Sequence, residues 1–133
     1  MNETDISAAL GKHLAALGGV PAIVWENKDK PDSVKRPYVQ IQMVRVSRRS
    51  MDLAGGGGIT ARGFLQVTVV TDIDQFSTPA ETIADSIAAH FRKGVKLTEN
   101  GGTVTIMDAP NVLPGLRDGP DWRVPVQIDY WAN

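Results

Sequence analysis

Residues 38–71 hold two alternating runs separated by a segment that could not pack as either of them does. Tyr38-Val39-Gln40-Ile41-Gln42-Met43-Val44-Arg45-Val46 leads in, and Gly63-Phe64-Leu65-Gln66-Val67-Thr68-Val69-Val70-Thr71 leads out. Val39, Ile41 and Met43 fall on one face with Gln40 and Gln42 on the other, and Leu65, Val67 and Val69 likewise oppose Gln66 and Thr68. Period-two alternation of this kind predicts two strands of one antiparallel hairpin. Hairpins close with about two to five turn residues, so the connection over 47–62 is about three times longer than closure needs. It contains Gly55-Gly56-Gly57-Gly58, and glycine loses more backbone freedom on ordering than any other residue. A flexible glycine-rich arm over 47–62 is therefore expected, and long connections that a fold does not need commonly serve a partner. Val44 and Val46 blur the alternation near the arm. That fits either cover on both faces or a face buried against a partner.

The remaining 99 residues or so must close the core, and a 133-residue chain suits one domain, expected to span 1–133. Hydrophobic residues make up 42% and charged residues 22%, ordinary for a soluble globular protein. A net charge of -1 supplies no bulk field to draw the chain to nucleic acid or anionic lipid. With no cysteine, disulfides, thiol chemistry and cysteine metal sites are excluded, and cytoplasmic folding fits. Met1-Asn2-Glu3-Thr4-Asp5 is acidic and lacks a signal-like apolar region, and no window is apolar enough for a membrane span.

Ile6, Leu10, Leu14 and Leu17 form one helical stripe over 4–17, with Thr4 or Asp5 able to cap its start and Gly18-Gly19 to stop it. Ala22-Ile23-Val24-Trp25 reads as a short strand, and Pro37 steers Arg36 into extended backbone ahead of the first long strand. Thr78-Pro79-Ala80-Glu81 has the spacing of a capping box, with Thr78 at the N-cap, and Ile83, Ile87 and Phe91 form the stripe behind it. Arg92 and Lys93 suit that helix's negative end, and Gly94 terminates it. Val95-Lys96-Leu97, Thr103 to Met107 and Val112-Leu113 read as further extended pieces. A turn at 118–121 opens a last strand in which Val124, Val126, Ile128 and Tyr130 alternate with polar residues. Pro125 has no N–H, which predicts a free edge or a bulge there. The order predicts an α+β fold: a mostly antiparallel or mixed sheet with a long hairpin arm and two helices packed on one face.

Candidate chemistry is sparse. A phosphate-binding loop needs Lys-Ser/Thr after the glycines and a following helix, whereas Ile59-Thr60-Ala61 and a strand follow here. His13 and His90, one on each helix, lack converging carboxylates and read as surface or boundary residues. Asp72-Ile73-Asp74 offers two carboxylates at a strand end, fewer ligands than a hard cation needs, and reads as a solvated turn. No serine, threonine or lysine stands in a nucleophile setting, so no catalytic, cofactor or metal site is expected and the chain reads as non-enzymatic. Arg45, Arg48, Arg49 and Arg62 surround the arm. They read equally as charges that keep sheet edges apart and as a docking surface for acidic or polar groups. Trp25 is expected to support the core. Trp131, out of phase with its inward neighbours, is expected to be partly exposed and to suit an interface, as aromatic anchors do. The candidate partner-binding set is Arg45, Arg48, Arg49, Met51, Asp52, Leu53, Gly55, Gly56, Gly57, Gly58, Arg62 and Trp131, with the edge around Pro125 as a further surface.

An ordered series of pieces carries a family resemblance: Ala22-Ile23-Val24-Trp25-Glu26-Asn27, Arg36-Pro37-Tyr38-Val39, and Arg62-Gly63-Phe64-Leu65-Gln66-Val67-Thr68-Val69 after the glycine arm. Phe91-Arg92-Lys93-Gly94, Ala109-Pro110 and Trp122-Arg123-Val124-Pro125-Val126-Gln127-Ile128-Asp129-Tyr130 complete it. In this order and length the whole chain resembles the tail-terminator proteins of long-tailed bacteriophages, the lambda tail terminator and its prophage relatives among them. The resemblance implies an α+β structural protein of the virion, without catalysis or cofactor. It implies a hexameric ring on the head-proximal end of the tail tube, completing the tail by stopping tube polymerisation and offering a surface to the head. The implied partners are other copies of the chain, which is compatible with a free monomer, the tail tube protein and a head–tail joining protein. No membrane is involved, and DNA enters only as it passes through the lumen. Assembly would occur in the bacterial cytoplasm. The competing readings are a neck or head-completion joining protein and a small non-catalytic ligand- or nucleic-acid-binding module.

Overall fold

A computed structural model of the chain describes residues 1–50, 53, 58–74 and 76–133. In chain order the elements are α1 (Glu3–Ala15), β1 (Ala22–Val24), β2 (Tyr38–Ser50), β3 (Ile59–Asp72), α2 (Thr78–His90), β4 (Lys96–Glu99), β5 (Gly102–Ile106), β6 (Asn111–Val112), β7 (Leu116–Asp118) and β8 (Asp121–Ala132). Among the described residues the strands form one sheet ordered β1-β2-β3-β8-β5-β4, with β6 and β7 also pairing β8. β1 runs parallel to β2, and the other pairings are antiparallel. The α+β class expected from the element order is what the chain adopts.

The two long strands pair over their whole length, from Tyr38↔Val70 to Ser50↔Ile59. The ladder thus continues through residues 47–50 and 59–62, which the sequence assigned to a flexible arm, and only 51–58 connect the strands. The alternation was lost to view for a local reason. The register shifts between Arg45 and Ser47, where Val46 is left over as a bulge. A bulge inserts one unpaired residue and breaks the period of two, so the strand beyond it no longer reads as a strand. The remainder of the arm expectation, Met51, Asp52, Ala54, Gly55, Gly56 and Gly57, lies outside the described residues.

β8 is the spine of the sheet. It pairs β3 from Ala61↔Ala132 to Asp72↔Asp121, and its other side meets β7, β6 and β5 in turn. No bulge forms at Pro125, which lies opposite Thr68 in unbroken register with β3, and the expected open edge is confined to the gap between β6 and β7. The missing N–H is accommodated on the other side. Pro125 accepts a bond there from the Leu113 N–H at 2.8 Å, just past the end of β6 and before β7 begins. A donor is dispensable where one short partner strand gives way to the next.

The inward residues of the strands, including Val39, Ile41, Leu65, Val67, Val104, Ile106, Val126 and Ile128, share one buried cluster with Ile6, Leu10 and Leu14 of α1 and Ala80, Ala84 and Ile87 of α2. Both helix starts differ from expectation. Asn2, not Thr4 or Asp5, caps α1, its Oδ1 accepting from the Asp5 N–H at 2.8 Å. Ser77 precedes α2 without a side-chain cap bond, so Thr78 lies inside the helix and the expected capping box does not form. Glu81 instead donates its backbone N–H to the Ser77 carbonyl. The two histidines join the helix ends. Their rings stack at 3.8 Å and 7°, and each Nε2–H donates to the other residue's carbonyl, at 2.9 Å from His13 and 2.6 Å from His90.

Candidate assembly surfaces

The base of the β2–β3 hairpin is tied to the N-terminal helix by one carboxylate. Glu3, in the first turn of α1, takes Arg45 Nε at 3.0 Å on Oε2 and Arg48 Nη1 at 2.8 Å on Oε1. The bulge at Val46 lets residues 45 and 48 aim at one acceptor, and Val46 itself is left 65% exposed. Below the ion pairs lies Tyr130, whose ring sits against Gly63, its register partner on β3. A Cβ on Gly63 would meet the Val44 carbonyl oxygen and lie 2.8 Å from the Tyr130 hydroxyl, so only glycine lets the three strands close here. The Tyr130 hydroxyl is buried without a hydrogen-bond partner. Burial raises its pKa above the usual value, with a further push from Glu3 that Arg45 and Arg48 oppose.

The four arginines therefore divide. Arg45 and Arg48 are held by Glu3, whereas Arg49 and Arg62 form no ion pair with a described residue and stand exposed near the hairpin's far end. Leu53 and Gly58 are exposed, Gly58 with a φ of +89°, and Ile59 is 40% exposed. Met51, Asp52, Gly55, Gly56 and Gly57 lie outside the described residues. Trp131 is half-buried on β8, between Arg62 of β3 and Thr105 of β5, on an interior strand rather than an edge. Trp25 is 42% exposed, with its ring edge against Gly11, so its support of the core is partial.

Amides run across the middle of the sheet face that alternates with the core. Gln42, Gln66, Gln127 and Asn111 are register partners across β2, β3, β8 and β6, four amides in one row. Beside that row, Arg123 donates to Gln40 Oε1 at 3.2 Å and pairs with Asp118 and Asp121. An open groove of about 590 Å³ crosses this surface between Trp25 and Leu116. Asp72, half of the weighed cation site, is engaged by Arg36 Nε at 2.9 Å. Among the described residues no group of three or more His, Asp or Glu side chains could hold a metal ion. No described helix is long and apolar enough to cross a membrane.

Sequence reasoning missed Glu3, Gly63 and Tyr130. A lone glycine in an alternating strand was the available signal for a close backbone approach. Nothing local ties Glu3 to arginines more than forty positions away, as the Arg48 pair with its separation of 45 residues shows.

Across residues 5–130 the sequence matches the family described as phage tail terminator protein. The chain belongs to that family. Terminators are structural, non-catalytic phage tail proteins, so the surfaces above are those of a virion component. The fold recurs in solved structures. One, whose name carries no functional description, is 25% identical with a TM-score of 0.80, over 100% of this terminator and 96% of that chain. Another comes from the virion of a native gene transfer agent particle. It is 16% identical with a TM-score of 0.66, over 97% of this chain and 95% of that one, and shares the fold. No curated protein matches the sequence.

Proposed function

We propose that the chain caps the head-proximal end of a tail tube as a ring, stops tube polymerisation and presents the surface to which a filled head joins. The family match over residues 5–130 carries this reading. The reading takes 1–133 as one domain with both helices on one face of the sheet, leaving the amide row on the other. Its partners are further copies of itself, six to a ring, the tail tube protein and a head–tail joining protein. Assembly takes place in the bacterial cytoplasm, of phage or prophage origin, and the product resides at the head end of the tail.

The hairpin suits such a role. Its base is fixed by Glu3, and its end carries Arg49, Arg62, Leu53 and Ile59 exposed beside a run of glycines. Contacts that order glycine-rich chain on docking are weakened by that entropy, which restrains association before a template is met. Together with Trp131, these residues and Met51 and Asp52 form the proposed partner-binding set.

The test is electron microscopy of particles produced with the gene deleted. Overlong headless tubes beside unjoined filled heads are expected. Tails of normal length joined to heads would reject the terminator role, and a neck protein or a binding module would take its place. Shortening residues 51–58 to a two-residue Asn-Gly turn, about the least a hairpin needs, is expected to keep the fold and abolish assembly.

A further inference from the structure

A second surface complements the hairpin end. Between α2 and the segment that follows β6 lies a groove of about 400 Å³, floored by Val112, Leu113, Pro114 and Trp122 and rimmed by Glu81 and Asp85. No basic residue lines it, and neither carboxylate forms an ion pair with a described residue. The Trp122 indole N–H is buried there without a partner. A Cβ on Gly115 would run into the Trp122 ring, with Cε2 only 2.7 Å away, so the strap lies flat on the indole. Apolar floor, two carboxylates without a described cationic partner and 41% exposed Val112 match what the hairpin end offers: exposed Ile59 and Leu53 flanked by Arg49 and Arg62, which form no ion pair with a described residue.

The two surfaces cannot meet within one chain. The hairpin end leaves the sheet where Ala61 pairs Ala132, while the groove lies at Trp122, the other end of the same strand. Ten residues of strand separate them by about 33 Å, and the hairpin continues away from the groove. Two complementary surfaces that face apart on one molecule join different molecules head to tail, closing as a ring when the rotation allows.

We infer that the groove between α2 and the 112–115 strap receives the hairpin end of a second copy of this chain. The aliphatic side chains enter the floor, and the arginines meet Glu81 and Asp85. The inference deepens the terminator reading by naming the subunit contact, and it rests on that reading for the closed ring.

The chain has no native cysteine, so a pair can be introduced cleanly. Ile59→Cys with Asp85→Cys, treated with a short bis-maleimide in tails assembled in cells, should give a ladder extending beyond dimers. Either single variant should give no cross-link, and Ile59→Cys with the distant, exposed Lys93→Cys should give none either. Tails of normal length without the Ile59–Asp85 ladder would overturn the groove assignment and leave the terminator role standing. Normal tails in the gene deletion would instead overturn the role. Charge reversal supplies an independent measurement should cysteines perturb assembly. Glu81→Lys with Asp85→Lys should lower the assembled fraction about tenfold, and adding Arg49→Glu with Arg62→Glu should restore most of it. Loss without restoration, in variants whose melting is unchanged, would also overturn the contact.

Discussion

Replacing Gly63 with alanine tests whether the hairpin's base is set by close packing between β2, β3 and β8. The added Cβ would lie against the Val44 carbonyl oxygen and 2.8 Å from the Tyr130 hydroxyl. The hydroxyl can yield by a small swing of the ring. The carbonyl cannot, because it belongs to backbone held next to the Arg45↔Gly63 pair, immediately before the bulge. Overpacking costs about 1–3 kcal/mol, and a clash with fixed backbone belongs at the top of that range, about 3 kcal/mol. For a chain of this size about 4 °C is lost per kcal/mol, so the melting temperature should fall by about 12 °C. Tyr130→Phe separates the two contacts. Alone it removes a buried hydroxyl that has no partner, and should be neutral or stabilising by about 1 kcal/mol. Combined with Gly63→Ala it removes the hydroxyl contact but not the carbonyl one, so the coupling should be about 1 kcal/mol and the rescue incomplete. Urea unfolding of the four proteins at constant m-value reads each term. A Gly63→Ala chain within about 0.5 kcal/mol of the parent would refute the packing argument, since that is the range of an unremarkable surface substitution.

Three further outcomes follow from the same region and its neighbour. In an ultraviolet difference titration, Tyr130 should ionise above the ordinary tyrosine value of about 10, and Tyr130→Phe should delete that step. Because the folded state favours the neutral phenol, its stabilising contribution is full below about pH 10 and is lost as pH rises through the folded value; a Tyr130 titrating at or below 10 would contradict this. Glu3→Gln should cost about 1 kcal/mol through its two partly exposed arginine pairs, with the loss shrinking in high salt; a salt-independent loss would mean packing, not charge, holds the hairpin base. His13→Ala removes the ring stack and one of the two reciprocal hydrogen bonds, leaving the residue 13 carbonyl to accept from His90, and should cost about 1.5 kcal/mol by urea unfolding; an unchanged midpoint would show that the helix ends are held without the ring.

The parts of the fold legible in the sequence are those whose period survives along the chain. β8 alternates from Val124 to Tyr130 without interruption, and its inward residues are the ones buried. In the hairpin, Val39 to Met43 alternates just as clearly. Beyond Val46 the pattern fails because a bulge shifts its phase. Arg48 there serves a partner 45 residues away, so a strand looked like loop. β7 escaped notice for another reason. Its three residues are all exposed, and its existence depends on the turn at 118–121 folding it onto β8. The capping box failed at the level of geometry: spacing places suitable residues, but Ser77 entering with helical φ and ψ moves the helix start one position earlier. The candidate surface was half visible. Composition picked out the arginines and glycines. It could not show that Glu3 engages two of the four arginines, nor that Glu81, Asp85 and Trp122 gather into a groove from elements about 40 residues apart.

That division of the arginines bears on how such a protein stays apart until it is needed. A tip with four free cations would attract any acidic surface, including the groove of another copy, at long range. With Arg45 and Arg48 sharing the single negative charge of Glu3, that cluster keeps one net positive charge, and only Arg49 and Arg62 remain unpaired with a described residue to make contacts of their own. Charge pairs between exposed groups contribute about 0–1 kcal/mol each and act over about 8 Å in physiological salt. A single head-to-tail contact is then weak, and a chain of two or three copies still leaves one hairpin and one groove unfilled. Closure fills both without any new surface, because the last contact forms between molecules already held together. On the proposed reading, a tube end that arranges copies around one axis would supply that closure, which would make the proposed ring stable where the tube stops and unstable in free solution.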